Sequence, residues 1–203
     1  PDWATRQRIA FGVAKALEHL HKCNIVHKDV TSNNIFLEEL TNGSLKISPL
    51  LADSGILQLA SNRSIEDVVE KPGYTAPEVL QTGRYTEKSD IYGFGVVLLI
   101  SGKKPMVYID IDDEDNGQEV TLVSLVAMYC EQMRGRDVMD SVAWDTCPFP
   151  EYLNTALKLA MECVSDDTCL RPPMSQVAFV LQGLASNPSP LKSPASTSSF
   201  SSM

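Results

Sequence analysis

Between Ile25 and Leu37 the chain reads IVHKDVTSNNIFL, and this stretch holds the residues best suited to do chemistry. His27, Lys28 and Asp29 stand together between two short β-branched runs, with Asn34 five residues after the aspartate. A carboxylate can orient an attacking hydroxyl and an amide oxygen can help hold Mg²⁺, and phosphoryl transfer needs both. An Asp and an Asn at this separation, on a loop bracketed by two strands, can converge on one phosphate. Taken without Asp29 and Asn34, His27 is better read as a satisfied core histidine.

The elements that must position this loop are legible around it. Ile9, Val13, Ala16, Leu17 and Leu20 recur at helical spacing, which predicts a helix from Trp3 to Lys22 with Asp2 as its N-cap. Strand-like pieces are predicted at Ile25–His27, Ile35–Leu37 and Leu45–Ile47, the last two separated by the turn residues Thr41-Asn42-Gly43-Ser44. Leu50 to Lys71 reads as loop. Lys88 to Ile100 is apolar nearly all round, which suits a helix at the centre of a domain. Amphipathic helices are predicted near Leu122–Met133, Glu151–Val164 and Ser175–Leu184. From Ser186 eight of eighteen residues are Ser, with three Pro, so 186–203 is expected to be a disordered tail. The fold class is therefore mainly α with a few short β-strands around the loop.

Composition excludes several function classes. With 203 residues, 43% of them apolar and 21% charged, the chain suits one globular domain. Its net charge of −9 argues against non-specific nucleic-acid binding. The acid excess is partly local, in Asp110, Asp112, Asp113, Glu114, Asp115 and Glu119, a run that reads as a solvated loop. Five scattered cysteines without a C-x-x-C pair favour neither a disulfide framework nor a zinc site, and point to a reducing compartment. No apolar run approaches bilayer length, and no charged-then-apolar leader follows Pro1. A chain that begins without Met reads as a fragment or a processed product.

Three further markers follow in order. Lys71-Pro72-Gly73-Tyr74-Thr75-Ala76-Pro77-Glu78 ends in A-P-E, Asp90 opens DIYGFGVVLL, and Arg171-Pro172 comes late. Together with the H-K-D-x-x-x-x-N loop they resemble eukaryotic protein kinases, whose catalytic loop is H-R-D-L-x-x-x-N. The first helix and the final RPPMSQVAFVLQGL look most like plant receptor-like kinases of the leucine-rich-repeat type. The resemblance implies the helical C-terminal lobe of the kinase fold over residues 1–185. It implies Asp29 as catalytic base, Asn34 and Asp53 as ligands of Mg²⁺ on ATP, and His27 as a structural part of the loop. It also implies a buried ion pair between Glu78 and Arg171, and Asp90 holding the loop backbone.

The sequence departs from the family at several of these points. No Gly-rich loop or V-A-I-K lysine precedes Pro1, so the chain as it stands is expected to hold half a nucleotide cleft and to bind ATP poorly. The D-F-G motif has two possible registers. One is Asp53-Ser54-Gly55, without the aromatic; the other puts Pro49-Leu50-Leu51 there, without the metal ligand. Lys28 replaces the usual Arg, so bidentate capture of a phosphate on the activation segment is not expected. Thr31 stands where Ser/Thr kinases carry a Lys, and Lys71 where they carry a Thr. Either the two exchange roles and keep an ammonium and a hydroxyl on Asp29, or they are unrelated losses. The end of the central helix, GFGVVLLISGKKP, is two residues shorter than usual.

Two functions are thus implied. One is part of a receptor-like serine/threonine kinase, acting on protein substrates at the cytoplasmic face of the plasma membrane. The other is a pseudokinase module that docks on partner receptor-like kinases and transfers no phosphate.

Overall fold

Asp2 starts helix α1, Trp3–Lys22, by accepting the Thr5 N–H on its side chain at 2.8 Å. The helix stops in a Schellman turn: Asn24 takes φ 56°, its N–H donates to His21 O and the Ile25 N–H donates to Leu20 O, both at 2.9 Å. The structure is a computed structural model and describes residues 1–40, 46–52, 71–99, 102–109, 118–132 and 134–186.

After a one-turn 3₁₀ segment at Ser32–Asn34, strands β1, Ile35–Leu40, and β2, Lys46–Leu51, pair antiparallel, with Ile35 opposite Leu51 and Leu37 opposite Pro49. Helix α2, Pro77–Thr82, ends on Gly83 at φ 67°. Helix α3, Glu87–Leu98, begins with a capping box between Thr86 and Ser89. A second antiparallel hairpin joins β3, Met106–Ile109, to β4, Gln118–Thr121. Helices α4, Leu122–Glu131, α5, Ser141–Thr146, α6, Pro150–Cys163, and α7, Met174–Ser186, with a 3₁₀ turn at Gly135–Val138 between α4 and α5, complete the described elements.

Helix α3 is the centre of the core, as its apolar run requires: Ser89 to Val96 are all buried. Two glycines on it allow close approaches that a side chain would block. A Cβ on Gly93 would stand 2.7 Å from Val30 O in the loop that follows α1, and one on Gly95 would stand 2.7 Å from Cys163 Cβ on α6. Helix α1 packs on α7 and on β2, and Leu17, Phe94, Leu153 and Leu181 meet in one buried cluster. Cys163 lies inside it, and burial pushes its thiol up to about 12, so it is a packing group rather than a nucleophile.

Several expectations need correction. Ile25–His27 is not a strand: the N–H groups of His27 and Lys28 donate to the Asp90 carboxylate and not to a neighbouring chain. Leu50 and Leu51, read as loop, belong to β2. The β3–β4 hairpin and α2 were not expected at all. The central helix runs from Glu87 to Leu98 instead of Lys88 to Ile100, and the last helix reaches Ser186, into the stretch read as tail. Residues 187–203, the acidic positions 110–115 and Asp53 to Gly55 lie outside the described residues.

Candidate active site

The loop between α1 and β1 is shaped by one carboxylate. Asp90, buried on the first turn of α3, accepts the His27 N–H at 2.7 Å on Oδ2 and the Lys28 N–H at 2.8 Å on Oδ1. Lys28 has φ 71°, a left-handed conformation that a long side chain adopts at a cost. The two charge-assisted bonds hold that turn in place. His21, near the end of α1, brings its Nε2 to 3.0 Å from the same Asp90 Oδ2. The only signal of this contact in the sequence is a basic residue near a helix C-terminus.

His27 is completely buried and joins the loop to β2. Its Nε2 lies 3.0 Å from Ala52 O, and its Nδ1 accepts the Asp29 N–H at 3.2 Å. Those partners select the neutral tautomer with the proton on Nε2. Burial lowers the pKa of His27 from its ordinary 6.5, against the raising influence of the Asp90 charge.

Asn34 donates its Nδ2 to Asp29 O at 2.9 Å, so the two residues singled out by spacing share one hydrogen bond. The Asp29 carboxylate, 13% exposed, is divided in function. Its Oδ2 forms an ion pair with Lys71 Nζ, while Oδ1 is buried and has no hydrogen-bond partner among the described residues. Lys71 therefore does supply an ammonium to Asp29. Thr31 is buried nearby in sequence, but its hydroxyl does not fill Oδ1, so only half of the proposed exchange is realised.

Beside Lys71 lies a cleft of about 460 Å³, bordered by Thr31, Asn33, Asn34, Lys71, Tyr74 and Lys104. Tyr74 OH meets Ser32 Oγ at 2.8 Å and ties the segment bearing Lys71 to the loop. Lys104, exposed on this cleft, was not marked by sequence reasoning; a Lys-Lys pair between two apolar runs carries no motif signal. Phe36 and Leu50, cross-strand partners in the β1–β2 hairpin, are each about half exposed beside Asn34. Asp53 lies outside the described residues. The rival triplet Pro49-Leu50-Leu51 is inside β2, and Ala52 donates its N–H to Asn34 O at 2.9 Å. Among the described residues no group of three His, Cys, Asp or Glu could hold a metal by itself.

At the far side of α3, Arg171 meets Glu78 in a bidentate pair, Nη1 to Oε1 at 2.7 Å and Nη2 to Oε2 at 2.8 Å. The guanidinium also donates to Ser165 O at 2.7 Å and Lys88 O at 2.9 Å, and its Cζ lies 5.0 Å from the Tyr92 ring centroid. Burial pushes the Glu78 carboxyl up, but the hydrogen bonds and charge of Arg171 outweigh it and leave the pKa lowered.

Comparison with known proteins agrees with this geometry. The family description "protein kinase domain" matches residues 3–179. A probable leucine-rich-repeat receptor-like serine/threonine-protein kinase of Arabidopsis thaliana is 33% identical over 193 residues, covering 90% of this chain and 29% of that protein. The leucine-rich-repeat receptor-like kinase SIK1 of Oryza sativa subsp. japonica is 36% identical over 191 residues, covering 90% of this chain and 18% of that protein. The chain thus spans less than a third of either relative's length. Among solved structures, the pseudokinase domain of BIR2, an immune regulator of the RLK/Pelle family, superposes with a TM-score of 0.72 at 28% identity. That match covers 91% of this chain and 53% of the other. Among the described residues no helix is long and apolar enough to cross a membrane. By its motifs, their arrangement around α3 and the match over most of its length, the chain belongs to the protein kinase family, and its likeness runs to the plant receptor-like kinases.

Proposed function

We propose that residues 1–185 are the helical C-terminal lobe of a receptor-like serine/threonine kinase, carrying the acceptor-side half of a phosphoryl-transfer site. The arrangement of Asp29 supports this best: one carboxylate oxygen is held by Lys71 and the other is buried and free of hydrogen bonds among the described residues. An incoming hydroxyl would donate to Asp29 Oδ1, which orients it and accepts its proton as the bond to phosphorus forms. His27 and Asn34 fix the Asp29 backbone from both sides, so the carboxylate meets the hydroxyl in one geometry.

With its nitrogen anchored on Asp29 O, the Asn34 amide presents its Oδ1 as an oxygen ligand, and Asp53 would be the second. Mg²⁺ bound with ATP would neutralise charge on the phosphate oxygens. Phe36 and Leu50 offer an apolar floor for the planar base. The β2 register favours Asp53-Ser54-Gly55 as the D-F-G equivalent, because a metal ligand belongs after the strand and Pro49–Leu51 lie within it. Other receptor-like kinases and protein Ser/Thr residues are the partners and substrates this reading implies, at the cytoplasmic face of the plasma membrane.

A second reading, a docking module without turnover, is favoured by Lys71. Its ammonium sits on the base from the activation-segment side and neutralises the charge that must take a proton. A thermal-shift titration with Mg·ATP separates the two. Weak, magnesium-dependent stabilisation that Asn34→Ala removes supports the phosphoryl-transfer site. Absence of any nucleotide effect, with retained binding to a receptor-kinase domain, would leave only the docking reading.

A further inference from the structure

We propose that the β3–β4 hairpin is the specificity wall of the cleft beside Lys71, and that it receives an extended protein segment carrying an acidic residue and, two positions from it, an aromatic or aliphatic one. The inference rests on the reading of that cleft as the acceptor side of a phosphoryl-transfer site. It adds which segment the cleft takes.

The hairpin is fixed against the segment that bears Lys71. A Cβ on Gly73, at φ 83°, would stand 2.6 Å from Pro105 O, and the Leu122 N–H donates to that same oxygen at 2.8 Å. Lys104, Met106 and Glu119 accordingly border the cleft together with Asn33, Asn34 and Lys71. One face of the hairpin is spoken for, because Val107, Ile109 and Val120 pack on the main core. Alternation along the strand turns Met106 and Tyr108 to the opposite face, and Glu119, directly across from Tyr108, shares it. Tyr108 is 65% exposed there, so the wall continues past the cleft as an open, partly apolar surface.

Charge sets what the segment carries. Lys104 is exposed and its ammonium has no hydrogen bond or ion pair among the described residues, whereas Lys71 is committed to Asp29. Lys104 precedes β3, and Glu119 lies beside Tyr108 further along it, so an acid suits the Lys104 end and is repelled at the other. With a net charge of −9, the chain as a whole offers an acidic segment no general attraction, so the preference is local. A helix with its side chains is about 10–12 Å thick, too wide for a cleft of about 460 Å³, so the segment enters extended. In an extended chain residues two apart face one way, about 7 Å from each other, which sets the spacing of acid and apolar group.

The test uses the full 203-residue chain without nucleotide, so its outcome is separate from that of the Mg·ATP titration. Fluorescein-labelled peptides Gly-Ser-Asp-Ala-Phe-Gly and Gly-Phe-Ala-Asp-Ser-Gly cover the two chain directions, and anisotropy follows binding. One of them should bind saturably and shift the Met106 methyl resonance. It should bind about threefold to fivefold more tightly than its counterpart with Lys for Asp, and than that with Ala for Phe. Lys104→Glu should reverse the preference for Asp over Lys, and Tyr108→Ser should remove the gain from Phe; both positions are exposed, so the fold is retained. Lys158→Glu on α6, where the side chain is 80% exposed, makes the same change of net charge and should leave the preference intact. No saturable binding below about 5 mM, an unmoved Met106 methyl, or equal effects of Lys104→Glu and Lys158→Glu would each overturn the proposal. Peptide binding as expected without any effect of Mg·ATP would keep the wall as a docking surface and overturn the phosphoryl-transfer reading alone.

Discussion

Replacing Glu78 with alanine strands the guanidinium of Arg171, whose side chain has no exposed surface in the folded chain. Two charge-assisted hydrogen bonds disappear, each with a net value of about 1.5–3 kcal/mol, while those to Ser165 O and Lys88 O and the Tyr92 contact remain. Glu78 itself is 24% exposed, so water can enter the vacated place and recover part of the loss. The expected cost is about 3 kcal/mol, at the low end of the ~3–5 kcal/mol for breaking a buried pair. Arg171→Met removes the cation and restores apolar volume, leaving a carboxylate that can hydrate; it should cost roughly 2–4 kcal/mol, chiefly through the two orphaned carbonyls. The double variant should then be less destabilised than the sum by roughly 2 kcal/mol, because the second change removes a group the first has already left unpaired. Urea unfolding followed by circular dichroism gives all four stabilities, and the Glu78→Ala Tm should fall by about 6–12 °C. Additivity within about 0.5 kcal/mol would refute the claim that these two charges depend on each other. The native chain should also lose stability in acid. The folded-state pKa of Glu78 is lowered, so its contribution is complete above the ordinary 4.5 and is lost as pH falls below that value.

Three other outcomes follow from the same geometry. Gly93→Ala puts a methyl group 2.7 Å from Val30 O and should cost about 1–3 kcal/mol, whereas Gly183→Ala on α7 meets nothing within 4 Å and should stabilise by about 0.5–1 kcal/mol; urea midpoints for the two compare them directly. Burial lowers the pKa of His27, so the unfolded chain takes up its proton first and stability should decline as pH falls below the ordinary 6.5; the slope of Tm between neutral and mildly acidic pH should be smaller in His27→Asn than in the native chain. Lys71→Met should change Tm by no more than a few degrees, because that side chain is 35% exposed and such a pair contributes about 0–1 kcal/mol, yet it should weaken Mg·ATP binding about fivefold if the ammonium also faces a phosphate, which calorimetry would measure.

Some of this molecule was legible before any coordinates. An N-capping Asp2 and a 3.6-residue apolar period place α1, and an unbroken apolar run places α3 at the centre, because both signals are local and each residue reports its own burial. The errors have one physical origin. Ile25–His27 reads as a strand because β-branched residues favour extended backbone, but an extended segment becomes a strand only with a partner ladder. Here the Ile25 N–H closes the end of α1 on Leu20 O, and the His27 N–H belongs to a carboxylate 63 residues away. The β3–β4 hairpin is hidden in the same way, since Met106–Ile109 and Gln118–Thr121 are short and flank an acidic stretch with no alternation of their own.

The site divides along the same line between local and distant information. The spacing of Asp29 and Asn34 is local, and they share a hydrogen bond. What the spacing could not decide is which groups arrive from elsewhere to meet Asp29. The ammonium comes from Lys71, 42 residues on, and Thr31, two residues away, does not engage the carboxylate. A charge can be supplied from any direction because Coulomb attraction is weakly directional, whereas a short hydroxyl must be placed within about 3 Å and in line. An exchange of Lys and Thr between two segments can therefore preserve the charge on a carboxylate while losing its hydrogen bond. That asymmetry accounts for Asp29 as found: ion-paired on one oxygen, with the other buried and without a hydrogen-bond partner among the described residues.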